Sequence, residues 1–136
     1  TCLMVLERTL HLFRDPERLR REHPTYRMIT TPPETLHARA KALADALVAH
    51  APKVGATISD SVAYLGSGSL PTEAIPSVMV TVSANGLSAE ELARRLRTDE
   101  AQVFGRIEDD VVRLDMRTVT DEQVSAIATA VGRVAS

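Results

Sequence analysis

The hydrophobic positions of this chain change period near its middle, from helical spacing to strand spacing. Leu3, Leu6, Leu10 and Phe13 recur at steps of three and four, which places them on one face of a helix. Asp15 and Pro16 close that helix, and Met28 and Ile29 mark a second short helical piece after Pro24. A clearer helix follows. Thr31-Pro32-Pro33-Glu34 has the shape of a capping box, and Leu36, Ala40, Leu43 and Leu47 form the buried stripe behind it. Arg39, Lys41 and Asp45 are expected to face away from that stripe, and His50 with Pro52 to end it.

From Val54 the pattern is that of strands. Val54–Ile58 and Val62–Leu65 read as two short strands separated by a turn at Ser59-Asp60-Ser61. Val78–Val82 is apolar on both faces and belongs in the middle of a sheet. Asn85-Gly86 turns the chain into a helix capped by Ser88 and Glu91, with Leu92 and Leu96 inward. Val103–Ile107 and Val111–Leu114 flank Glu108-Asp109-Asp110 as a hairpin. Thr120 and Gln123 cap a last helix carrying Val124, Ile127, Ala128 and Val131. Helices on one side of a mainly antiparallel sheet fit this order, an α+β two-layer domain. Residues 1–30 read as linking helices and residues 31–136 as the domain itself.

Composition narrows the function classes. The chain has 136 residues, 44% hydrophobic and 25% charged, which is enough for one ordinary core. A net charge of -2 gives no global attraction to nucleic acid, and 3% aromatics leave few stacking platforms. No apolar run is long enough to span a membrane. The single cysteine, Cys2, excludes an internal disulfide and a cysteine-based metal site, so a reducing cytoplasm is the expectation. His11, His23, His37 and His50 lack metal-ligand spacing. The chain opens inside a helical pattern, as a piece of a longer protein would.

Three places invite chemistry. The first is Gly66-Ser67-Gly68-Ser69, followed by Leu70-Pro71-Thr72-Glu73-Ala74-Ile75-Pro76-Ser77, a sharply shaped loop whose prolines exclude helix interior and central strand. It has neither the lysine of a nucleotide-binding P-loop nor the elbow of a hydrolase serine, although Ser67 and Ser69 can donate to a phosphate or carboxylate. The second is Arg106, set in an apolar run, where a guanidinium calls for an anionic partner; a substrate group or Glu108, Asp109 or Asp115 would serve. The third is the set Arg14, Arg18, Arg20 and Arg21, readable as a phosphate-contacting patch or as a solvated face laced with Asp15, Glu17 and Glu22. Lys41 and Lys53, the two lysines, are expected to be solvated.

Residues 66–77, together with Val103-Phe104-Gly105-Arg106-Ile107-Glu108-Asp109-Asp110 and Leu114-Asp115-Met116-Arg117-Thr118-Val119, resemble the C-terminal part of bacterial selenocysteine synthase, the L-seryl-tRNA(Sec) selenium transferase family. Leu10–Glu17 resembles the same family just after its catalytic domain. The resemblance implies the small domain of a fold-type-I pyridoxal-phosphate enzyme. Such an enzyme converts seryl-tRNA(Sec) to selenocysteinyl-tRNA(Sec) with selenophosphate as donor, and works as a homo-oligomer. The Schiff-base lysine and the donor-binding arginines would lie upstream of Thr1, so no catalytic, cofactor-binding or metal residue carries over, and the isolated chain is expected to be inactive. Gly66, Ser67, Gly68, Ser69 and Arg106 remain as candidate substrate-binding residues. Two other classes stay open, the small domain of a pyridoxal-phosphate enzyme acting on a free amino acid and a non-catalytic module for assembly or RNA contact.

Overall fold

Val78, Val80 and Val82 are almost wholly buried, and the sheet is built outward from that row. The computed structural model describes residues 2–65 and 74–136. The strands are β1 (Val54–Tyr64), β2 (Ala74–Ala84), β3 (Arg106–Glu108) and β4 (Val111–Asp115), in the spatial order β1-β2-β4-β3 with every neighbour antiparallel. The helices are α1 (Cys2–Leu12), α2 (Pro16–Glu22), α3 (Pro24–Thr30), α4 (Pro33–His50), α5 (Ala89–Thr98) and α6 (Asp121–Val134). The chain divides into two compact units, Thr1–Pro32 and Pro33–Ser136. The second unit is the α+β domain that the periodicity predicts.

Register explains which face is buried. Ala56, Val82 and Val112 lie side by side, as do Ile58, Val80 and Leu114. Apart from Ile58, which is exposed at the sheet edge, these rows share a core with Leu36, Leu43 and Leu47 of α4, Leu92 and Leu96 of α5, and Ile127 and Val131 of α6. Burying a side chain of this size contributes about 1.5–3 kcal/mol, so these helical stripes hold the layer to the sheet. Helices α4 and α6 approach so closely that a Cβ on Gly132 would stand 2.6 Å from the His50 carbonyl oxygen. Only glycine fits there.

Four elements differ from the sequence reading. β1 is one continuous strand through Ser59-Asp60-Ser61, because Met79, Val78 and Ser77 of β2 pair with those residues. Tertiary pairing overrides their turn preference, and β1 lies at the sheet edge, where polar side chains stay wet. Asp60 also meets His37 of α4 at 2.9 Å. β2 begins earlier than expected and includes Pro76. Val78 gives its carbonyl to Met116 on the β4 side, and Pro76, two residues back, faces the same way beyond the end of β4, where no amide is required. Val103–Gly105 lies outside β3 because the Val103 amide is bound to Leu96 O of α5 at 3.0 Å. Finally, the apolar period missed α2, which buries one residue, Leu19, and is started by Asp15 accepting from the amides of Glu17 and Arg18.

The caps differ in detail. Thr31 closes α3, its hydroxyl donating to Arg27 O at 2.7 Å. Ser88 accepts from the Glu91 amide, whereas the Glu91 carboxylate turns outward to Arg94 and Arg95. The Thr120 amide donates to Gln123 Oε1 at 2.9 Å. At the hairpin, Asp109 and Asp110 both take positive φ, 53° and 59°, as a two-residue turn matching strand twist requires.

In the first unit α1 buries none of its residues, and Leu3, Leu6 and Leu10 are exposed. Phe13, His23 and Tyr26 meet edge to face. Arg18 pairs with Glu22 and Arg20 with Glu17, so α2 is in large part the charge-laced face weighed above.

Hydrogen bonds from Arg94 and then Arg95 pull the Glu91 carboxyl down from 4.5 to about 2. A carboxyl lowered by folding stabilises the native state above its unfolded value and loses that contribution as pH falls toward the folded one. Melting temperature is therefore expected to fall between about pH 4.5 and about pH 2. Glu91→Gln is expected to flatten that part of the profile, measured by thermal denaturation across pH.

Candidate functional site

Two stretches that the sequence sets far apart meet at the end of the sheet. Ser77, buried in β2, donates its hydroxyl to Asp115 Oδ1 at 2.5 Å. The same carboxylate oxygen accepts the Arg117 amide at 2.9 Å, the local turn that an aspartate makes with the residue two positions on. Arg117 is buried, and its guanidinium donates to the carbonyl of Pro76. Burial lowers the pKa of that guanidinium, and the charge of Asp115 opposes the shift. The end of the glycine-serine stretch is thus tied to the Asp115–Val119 segment at two successive residues.

Arg39 holds that segment from the other side. Its Nη1 donates to Met116 O at 2.8 Å and Val119 O at 2.6 Å, and its Nε to Asp121 Oδ1 at 2.7 Å. This corrects the expectation that Arg39 faces away. It stands three residues after Leu36 and four before Leu43, at the border of the buried stripe, a spacing that already pointed inward. For Asp115 and Arg117 the available signal was Asp-Met-Arg-Thr itself, a turn sequence at a strand end. Beside the segment lies a cleft of about 330 Å³ walled by Val103, Phe104, Leu114 and Ile127, with Asp115 and Gln123 as polar lining.

Arg106 lies on the opposite face of the sheet from the core, in a row with Arg113, Thr81 and Thr57. Its side chain is 63% exposed, so the argument from a buried charge does not apply to it. Glu108 is its carboxylate neighbour at 3.6 Å, longer than a hydrogen bond. Arg113 binds Glu108 at 2.9 Å and Asp109 at 2.6 Å, so the acids of the hairpin are engaged mainly there. Arg106 thus keeps an exposed guanidinium whose one carboxylate neighbour among the described residues is Glu108. Gly105 before it has no room for a side chain, since a Cβ would lie 2.5 Å from Val112 Cγ1. Gly66, Ser67, Gly68 and Ser69 lie outside the described residues.

Neither lysine is set for imine chemistry, which needs an amine that sheds its proton in a desolvated pocket. Lys41 Nζ is 3.0 Å from Asp45 with its side chain 73% exposed, and Lys53 is exposed at the exit of α4. Among the described residues no cluster of three histidine, cysteine, aspartate or glutamate side chains could hold a metal, and no helix is long and apolar enough to cross a membrane.

Fold and site together describe a helical unit joined to an α+β domain whose sheet end is fastened by a part-buried aspartate–arginine turn. The chain belongs to the L-seryl-tRNA selenium transferase (SelA) family, whose model matches residues 1–120. It is 40% identical over 131 residues to the L-seryl-tRNA(Sec) selenium transferase of Nitratidesulfovibrio vulgaris, covering 94% of this chain and 28% of that protein. The enzymes of the same name from Caldanaerobacter subterraneus and Klebsiella pneumoniae are 38% and 37% identical over 90% and 88% of the chain, and 27% of each relative is covered. The chain therefore spans less than a third of the length of these relatives.

Asp115→Ala would leave the Ser77 hydroxyl and the Arg117 amide without their acceptor beside a buried guanidinium. The expected cost is about 2–4 kcal/mol of unfolding free energy in urea titrations. Combined with Ser77→Ala, the double-mutant cycle is expected to show coupling of about 1 kcal/mol or more.

Proposed function

We propose that this chain is the C-terminal, small-domain portion of a pyridoxal-phosphate-dependent L-seryl-tRNA(Sec) selenium transferase. The full protein would convert seryl-tRNA(Sec) to selenocysteinyl-tRNA(Sec) with selenophosphate, in the cytoplasm and as a homo-oligomer. Family membership over residues 1–120 carries this reading. The solvated state of Lys41 and Lys53 supports assigning the cofactor to a part of the longer protein outside this chain.

The contribution of the chain's own residues would be to bind and position. Asp115, Arg117 and Arg39 hold the sheet end at Pro76 and Ser77, and Gly66, Ser67, Gly68 and Ser69 would contribute donors to a substrate site completed elsewhere. Arg106, held against Glu108 only at long range, would meet an anionic group of the substrate.

In the full-length enzyme Arg106→Ala is expected to lower kcat/KM for seryl-tRNA(Sec) by about tenfold or more, the scale of one charge-assisted contact. Unchanged turnover would remove Arg106 from the substrate site. The isolated chain mixed with pyridoxal phosphate is expected to show no protein-bound imine absorbance, and a band lost on Lys41→Ala or Lys53→Ala would overturn the assignment of the cofactor.

A further inference from the structure

The corner formed by α1 and α2 carries a feature that the selenium transferase reading leaves unused. Arg8, His11 and Leu12 lie at i, i+3 and i+4 on α1 and so share one stripe of that helix. With Thr9, and with Arg18 from α2, they line a concavity of about 500 Å³. Leu12 is half-buried, and Arg8 and Arg18 are exposed. Among the described residues no acid stands within ion-pairing distance of Arg8. Arg18 shares its guanidinium with Glu22 at 2.9 Å, and Glu7 lies 3.8 Å from His11. Both are exposed pairs, which a stronger anion can displace at little cost.

The charge of the whole chain hides this corner. Residues 1–32 hold six arginines and four carboxylates, whereas residues 33–136 hold ten basic and fourteen acidic side chains. The net charge of -2 is thus a basic helical unit joined to an acidic domain. A concave site presenting two guanidinium groups and an imidazole suits a phosphate diester; the Thr9 hydroxyl in its lining is already donated to Val5 O at 2.9 Å. Two planar guanidinium forks suit the two non-bridging oxygens of the diester.

We propose that the α1–α2 corner binds a backbone phosphate of RNA through Arg8 and Arg18, with His11 alongside. The inference rests on the proposed function for the identity of the RNA, seryl-tRNA(Sec), and adds a place at which this chain would grip it. The grip is sequence-independent and electrostatic, so its signature is salt dependence rather than base preference.

The test uses full-length protein and fluorescently labelled seryl-tRNA(Sec), with binding measured by anisotropy from about 50 to 300 mM salt. Arg8→Ala with Arg18→Ala is expected to weaken binding about tenfold at the lowest salt and to reduce the slope of log K against log salt by about one to two. Arg8→Lys with Arg18→Lys keeps the charges and is expected to retain most of the slope, which separates lost contact from lost folding. Equal affinity and slope for the alanine variant and the parent would overturn the site while leaving the selenium transferase reading intact. A full-length protein that binds no tRNA would overturn both. If the variant loses only an effect of inorganic phosphate, with tRNA binding unchanged, the corner serves a free phosphate and the RNA assignment fails.

Discussion

The carboxylate of Asp115 is the point on which the sheet end depends. One oxygen accepts from a β2 hydroxyl and from a backbone amide two residues on, and the arginine carrying that amide reaches back to β2. Ser77 and Arg117 are buried, and a buried donor deprived of its acceptor costs more than the bond itself returns. The consequence is a closed set. Ser77, Asp115 and Arg117 are stable together and poorly tolerant of single losses. Arg39 extends the set to α4, so the strand end, the following turn and the helix layer are fastened by charged groups that the hydrophobic rows do not replace.

This arrangement divides labour between the two sides of the sheet. One side is a conventional core, in which valines and leucines from three helices and three strands supply the cohesion. The other side carries Thr57, Thr81, Arg113 and Arg106 across all four strands. In this row Arg113 is engaged by the hairpin acids, and Arg106 is the more exposed of the two guanidinium groups. The rigidity of the row is borrowed from the core beneath it.

Much of this was legible in the sequence because it follows from periodicity. The stripe Leu36, Ala40, Leu43 and Leu47, the central place of Val78–Val82 and the hairpin at Asp109-Asp110 are consequences of side-chain spacing and turn chemistry. What spacing could not show was decided by partners remote in sequence. Ser59-Asp60-Ser61 is strand only because β2 runs alongside it, and Pro76 is tolerated only because β4 ends short of it. The roles of Arg39, Asp115 and Arg117 needed the meeting of residues 38 to 82 positions apart, which no local pattern encodes. Arg106 was singled out by its apolar neighbours, yet it points away from the core. Of its apolar neighbours, Ile107 shares β3 with it and Val103 does not.

The two edges of the sheet have a bearing on how the chain behaves among copies of itself. One edge strand, β3, is three residues long and carries Arg106 and Glu108. The other, β1, is long, but its centre is Ser59-Asp60-Ser61, with the Asp60 charge at the middle of the open rim. Another strand adding to either rim would have to desolvate a charge or accept a very short ladder. The same polar triplet that looked like a turn therefore guards the longer of the two sheet edges against edge-to-edge stacking, and its replacement by Val-Val-Val would turn that rim into a template for aggregation.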